Sequence, residues 1–154
     1  MISSRTSWDP ARGLGLYASS KAAVRVFSEA LAQEVSPFSV RVLIAEPAAF
    51  LTPGIPGPAM PLYTGNPIPD YEELRSEVQA SFVAFNATSS GDPAKAMDRV
   101  VDVVRGEGVA AGRPWPLYLM LGKRADSAIR EKTSKLLETL DEWKDVTLGN
   151  LDFD

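Results

Sequence analysis

An amphipathic helix that runs directly into a β-branched strand constrains this chain more than any other feature. From Tyr17 to Val35 the apolar residues Ala23, Val26, Phe27, Ala30, Leu31 and Val35 recur at helical spacing, with Arg25, Glu29, Gln33 and Glu34 outside that stripe. Pro37 ends the helix, and Val40-Arg41-Val42-Leu43-Ile44-Ala45, bounded by Glu46-Pro47, follows as a buried parallel strand. Helix then strand is half of a βαβ unit. Further on, Asp70 can cap a helix carrying Leu74, Val78, Phe82 and Phe85. Asp92 as N-cap and Pro93 at the first helical position start another, with Met97, Val100, Val101 and Val104 on one face and a stop at Gly106 and Gly108. Pro116 to Gly122 reads as a second apolar strand, and Ala125 to Lys144 as a helix with Ile129, Thr133, Leu136, Leu140 and Trp143 in line. Strands alternating with helices mean an α/β layer fold with a parallel sheet, of which two full strands are legible and no repeat is found.

Between Thr52 and Asp70 lie six of the chain's 12 prolines, with Gly54, Gly57 and Gly65, too many breaks for regular structure. A loop of this length inside a domain is a lid or binding loop, with plain disorder the alternative. The 154 residues otherwise form one domain, and residues 53–69 are the loop region within it.

Cysteine and histidine are both absent, so disulfides, thiolate chemistry, the usual zinc sites and Ser-His-Asp hydrolysis are excluded. Proton chemistry must then use Tyr, Lys, Asp or Glu. Sixteen basic against 20 acidic residues, a net charge of −4, argue against nucleic acid as partner. No apolar run approaches the ~20 residues of a membrane span. Met1 leads straight into Ile2-Ser3-Ser4-Arg5 with no signal-peptide pattern, so the expected location is cytoplasmic.

Tyr17 and Lys21 stand four apart at the start of the first helix, on one face. An ammonium beside a phenol favours the phenolate, and the helix N-terminus adds potential of the same sign, which makes Tyr17 a usable acid or base. Ser4, at the end of an expected strand, offers a hydroxyl for a substrate oxygen. A Tyr and a Lys at this spacing also occur by chance in many helices. The carboxylates Asp98 and Asp102 read as a solvated helix face, Arg113-Pro114-Trp115 and Trp143 as packing, and Lys123-Arg124, Lys132 and Lys135 as ordinary helix charge.

The text around Tyr17 discriminates further. Ile2-Ser3-Ser4, Tyr17-Ala18-Ser19-Ser20-Lys21-Ala22-Ala23-Val24, Phe27 to Glu34, Val40-Arg41-Val42 and Glu46-Pro47-Ala48-Ala49-Phe50-Leu51-Thr52 together resemble the C-terminal half of a short-chain dehydrogenase/reductase. Gly91-Asp92-Pro93-Ala94-Lys95, Pro116-Leu117-Tyr118 and Trp143-Lys144-Asp145 are similar to fungal members. The resemblance implies the C-terminal half of a Rossmann-like, doubly wound parallel sheet with flanking helices. It implies Ser4, Tyr17 and Lys21 as the catalytic set: Tyr17 exchanging a proton with the substrate, Lys21 assisting it and touching the nicotinamide ribose, Ser4 orienting the substrate oxygen. It also assigns cofactor contacts to Tyr17, Lys21, Pro47 and Thr52, with Ala48 standing where the family keeps Gly. The loop from Pro53 falls where the family keeps its substrate loop.

The implied function is NAD(P)-dependent hydride transfer, with NADP slightly favoured, on an alcohol or ketone of a small organic substrate, including the secondary-metabolite class. The resemblance covers nearly the whole chain but only about half of the family's fold, and no strand, Gly-rich turn and helix for a pyrophosphate is found. Gly13-Leu14-Gly15 lacks an upstream strand. The expectation is therefore a truncated form or a fragment beginning at an internal methionine, without the nucleotide-binding half and with weak cofactor affinity. The alternatives are a cofactor-free remnant that binds a small molecule, dimerises or pairs with a full-length relative through helix 17–35, and an enzyme of non-redox proton transfer. Neither membrane nor nucleic acid is an expected partner.

Overall fold

Two short strands pairing in parallel organise the chain. The computed structural model describes residues 1–50, 65–88 and 91–149, and of 85–88 the backbone alone. Strand β1 (Ile44–Pro47) pairs with β2 (Tyr118–Leu121), Ile44 opposite Tyr118 and Pro47 opposite Leu121. On the other side of β1, Ile2 forms a parallel bridge with Ala45: Ser3 N–H donates to the Ala45 carbonyl and Ala45 N–H to the Met1 carbonyl, both at 2.9 Å. β1 is thus central, and Ile44, Ala45 and Glu46 are all buried. Parallel neighbours need crossover connections, and the helices supply them.

Helix α1 (Gly15–Val35) precedes β1, while α2 (Glu72–Thr88) and α3 (Pro93–Arg105) lie between the strands. After β2 come α4 (Lys123–Glu142) and the short α5 (Lys144–Thr147). Ala45, Ala96 of α3 and Leu121 form the core, with Phe50, Val100 and Leu119 packed against them. This is a mixed α/β architecture with a parallel sheet, as the alternation of periods predicts. Among the described residues no helix is long and apolar enough to cross a membrane. Thr52, the loop stretch from Pro53 to Thr64 and the Phe85 side chain lie outside the described residues.

Several boundaries and faces differ from the periodicity. The first strand is Ile44–Pro47 rather than 40–45, because its partner Leu117 reaches only as far back as the Ile44 N–H (2.8 Å), leaving Val40 half exposed. Asp70 is no N-cap: Pro69 opens a 3₁₀ turn, Pro69–Tyr71, entered from Ile68 without a side-chain cap. In α1 the apolar stripe faces outward, with Val26 53% and Phe27 59% exposed, while Ala18 and Ser28 are buried and Arg25 and Glu29 point inward. Polar groups on the neighbouring turn and strands take the inward face, as described below. In α3, Ala96 and Val100 face the core and Met97, Val101 and Val104 do not. The apolar positions of α4 beyond Arg130, including Leu136 and Leu140, are exposed, as is Trp143.

Asp92 does cap α3. Its carboxylate accepts from Ala94 N–H at 2.9 Å and Lys95 N–H at 3.3 Å, Pro93 occupies the first turn, and Gly106 closes the helix in the left-handed region at φ 67°. Asp92→Ala leaves those N–H groups without their acceptor and is expected to destabilise the fold by about 1 kcal/mol. Urea denaturation followed by circular dichroism should show a lower midpoint with an unchanged slope.

Candidate active site

A cleft of about 1150 Å³ opens at the C-terminal end of β1. Its walls come from the turn after Ser4, the start of α1 at Tyr17, the segment Pro47–Phe50, and Val78, Phe82 and Met97 of α2 and α3. Its apolar lining suits the hydrophobic part of a small ligand, with few polar groups to orient it. Two close approaches shape it. A Cβ at Gly13 would lie 2.8 Å from Val78, and one at Gly91 would lie 2.5 Å from the Phe50 ring. Phe50 and Gly91 also form a parallel bridge, so Gly91, legible in the sequence only as the prelude to a helix, fixes a wall of the cleft.

Ser4 and Tyr17 both line this cleft, as does Pro47. Ser4 is buried and caps a 3₁₀ turn, Arg5–Ser7; its Oγ accepts from Thr6 N–H at 3.3 Å and Thr6 Oγ1 at 3.0 Å. Both bonds use the oxygen as acceptor, so the Ser4 hydroxyl can still donate. Tyr17 is 45% exposed, in the first turn of α1. The Lys21 ammonium sits 5.8 Å from the centre of the Tyr17 ring and donates to the Ile2 carbonyl at 3.3 Å. Ser3 Oγ donates to the Lys21 carbonyl at 3.0 Å, tying the same helical turn to the strand beside β1. Thr52 lies outside the described residues, so its place relative to these groups is not part of the geometry.

Beneath this set is a polar layer that periodicity does not reveal. Glu46 has no solvent exposure; its carboxylate accepts from Ser7 Oγ at 3.0 Å and from the Trp8 indole N–H. The Trp8 ring lies edge-on to Tyr118, centroids 5.9 Å apart, and the Arg25 guanidinium stacks on it at 4.2 Å. Arg25 pairs with Glu29 at 2.6 Å. Burial, and then a hydrogen bond to Glu29, raises the Tyr118 phenol above its ordinary value. Burial likewise raises the Glu46 carboxyl, against the lowering effects of Ser7, Trp8 and Arg25. The one sequence feature that could have revealed this layer is Glu46 itself, an acidic residue at the end of a run that otherwise reads as a buried strand.

Arg124 of α4, read from the sequence as ordinary helix charge, lines the cleft, whereas Asp102 and Trp115 are structural. Asp102 accepts from Val109 N–H at 3.3 Å and pairs with Arg99 at 3.2 Å. Trp115 donates to the Val42 carbonyl at 2.9 Å while Arg41 stacks on its ring.

Residues 1–55, which hold Ser4, Tyr17, Lys21 and β1, match the family model for short chain dehydrogenase. A short-chain dehydrogenase of Streptomyces avermitilis, solved by crystallography, is 31% identical and superposes with a TM-score of 0.72 over 99% of this chain and 51% of its own. The fold is therefore the Rossmann-like α/β arrangement of that structure. An oxidoreductase named BOA17, from Botryotinia fuckeliana, is 26% identical over 140 residues, 91% of this chain and 48% of that one. Over residues 1–55 the chain matches the short chain dehydrogenase family, its whole length is similar to part of a solved member, and it spans about half the length of the relatives it matches.

The raised Glu46 carboxyl has a signed consequence. A carboxyl whose folded value lies above its unfolded one favours the fold in its protonated state. Its contribution is fully present below the unfolded value, near 4.5, and is lost as pH rises through the folded value. The stability difference between the wild type and Glu46→Gln, measured by urea denaturation from pH 4 upward, should change across that window and level off above it. A difference independent of pH would show that Glu46 is not held as described.

Proposed function

We propose that this chain supplies the proton-transfer side of an NAD(P)-dependent oxidoreductase site acting on an alcohol or ketone of a small organic molecule. The observation that carries the reading is the shared cleft, with Ser4 and Tyr17 on its wall and the Lys21 ammonium against the Tyr17 ring. Tyr17 Oη moves the proton to or from the substrate oxygen, and the Ser4 hydroxyl donates a hydrogen bond to that oxygen. Lys21 packs its ammonium over the Tyr17 ring and so helps hold the phenol at the cleft wall. An ammonium has three N–H donors, so its bond to Ile2 leaves others for ribose hydroxyls.

The residues fit the nicotinamide end of the cofactor: Pro47 and Ala48 put a low apolar wall beside Tyr17, and Ala48 is held by its N–H on the Leu121 carbonyl at 2.9 Å. When bound, the dinucleotide supplies the hydride. The apolar lining from Phe50, Val78 and Phe82 excludes water and takes the hydrophobic part of the substrate. NADP in preference to NAD, and a cytoplasmic setting, belong to the same reading.

The outward stripe of α1 supports a second element. Leu16, Val26 and Phe27 are exposed on one helix, a surface suited to a second copy of the chain or to a longer relative.

Titration with NADPH and NADH, followed by nicotinamide fluorescence, should show weak binding that saturates only toward millimolar cofactor. In a screen of ketones with NADPH, Tyr17→Phe should lower kcat by about a hundredfold or more, and Lys21→Ala should also lower it. No binding at millimolar cofactor, or full turnover by Tyr17→Phe, overturns the redox reading. Phe27→Asp should convert a dimer to a monomer in analytical ultracentrifugation; a monomeric wild type removes the pairing element.

A further inference from the structure

We propose that Glu46 is a positioning residue of this site, holding the turn that carries Ser4 in register with the α1 face that carries Tyr17 and Lys21. The inference rests on the assignment of those three residues under the proposed function.

Three segments bearing cleft residues meet at this one side chain. The first is the turn after Ser4. Ser7 N–H donates to the Ser4 carbonyl at 2.9 Å and Trp8 N–H to the Arg5 carbonyl at 3.1 Å, so the two residues that grip Glu46 through their side chains also close the backbone of the Ser4 turn. The second is α1. Tyr17, Lys21, Arg25 and Glu29 recur every fourth residue along one face, and Arg25 lies on the Trp8 ring that Glu46 orients. The third is β1 itself, where Pro47, the next residue, lines the cleft.

Packing of the sheet needs only an apolar side chain of similar volume at position 46. The carboxylate adds two directed bonds that span 39 and 38 residues of chain and satisfy both of its oxygens. A buried carboxylate is costly unless so paired. Arg25 places a positive charge on the far side of the indole, its Nε having no hydrogen-bond partner among the described residues. Glu46 is not among the residues lining the cleft, so it acts through Ser7 and Trp8 rather than on a substrate.

The titratable and charged groups around Glu46 are Arg25 and Glu29 from α1 and Tyr118 from β2. In Glu46→Gln the amide oxygen can still accept from the Trp8 indole and the amide nitrogen can donate to Ser7 Oγ. Glu46→Leu keeps the volume and loses both bonds.

Nitrogen-15 NMR of the wild type and both variants tests this without cofactor or substrate, so an inert protein overturns the redox reading alone. In Glu46→Leu the Trp8 indole N–H should lose roughly tenfold or more of its exchange protection, and the amide resonances of Ser4, Tyr17 and Lys21 should move. Glu46→Gln should restore both. If Glu46→Leu does not fold, Trp8→Phe, which keeps the ring on Arg25 but removes the donor, should move the same amides. Where turnover is measurable, Glu46→Leu should lower kcat roughly tenfold with KM unchanged and Glu46→Gln should recover it. Unmoved amides in Glu46→Leu or, should that variant not fold, in Trp8→Phe overturn the proposal, as does equal disturbance by Glu46→Gln and Glu46→Leu.

Discussion

The hydrogen bonding of β1 on both edges is the constraint on which the rest depends. Ala45 bonds to Met1 and Ser3 on one side, and Ile44–Pro47 pair with Tyr118–Leu121 on the other, so segments distant in sequence become neighbours at a single strand. Bonding on both edges keeps the backbone at Ala45 away from solvent, and Ile44, Ala45 and Glu46 are buried. The cleft forms where this strand ends, because the chain must leave the sheet there. Pro47 to Phe50 becomes one wall, and the turn after Ser4 the other.

The second organising feature is the polar layer between α1 and the sheet. A helix on a parallel sheet ordinarily presents its apolar side, yet α1 turns Ala18, Arg25, Ser28 and Glu29 inward. The reason lies in the partners. Glu46, the Trp8 indole and the Tyr118 hydroxyl are polar groups in an enclosed space, and each must be satisfied or leave a costly orphan. Glu46 and the Trp8 indole satisfy each other, Glu29 bonds to Tyr118 and Arg25 stacks on the indole, while Ala18 and Ser28 present small buried side chains on the same helix. Ser28 meets its own need by bonding to the Val24 carbonyl at 2.6 Å. The apolar residues displaced by this choice, Val26 and Phe27 among them, form the outer stripe.

Much of the architecture was legible because local chemistry decides it. Pro37 and Pro93 bound helices through their fixed backbone, Asp92 caps by its own carboxylate, and Gly106 stops α3 because it alone takes a left-handed turn without penalty. Tyr17 and Lys21 were legible as neighbours for the same reason: four residues in a helix is one turn. Less legible was which side of each amphipathic helix turns inward. Hydrophobic periodicity reports a stripe, and α1 and α3 show that the stripe and the buried face can part when the neighbouring surface is polar or when a smaller residue such as Ala96 fits closer.

The sequence by itself determined the α/β order of elements, the helix limits set by proline, aspartate and glycine, the exclusion of histidine and cysteine chemistry, and the Tyr17–Lys21 pair. Each follows from residues within a few positions of one another or from composition alone. Only the tertiary structure decided that Ser4 and Tyr17 share a cleft wall, that Gly91 fits against Phe50, and that Glu46 joins Ser7, Trp8 and, through the indole, Arg25. Those contacts join residues beyond the reach of a helical turn, from 13 positions apart for Ser4 and Tyr17 to 41 for Phe50 and Gly91, and they form because backbone pairing at β1 brings separate segments together.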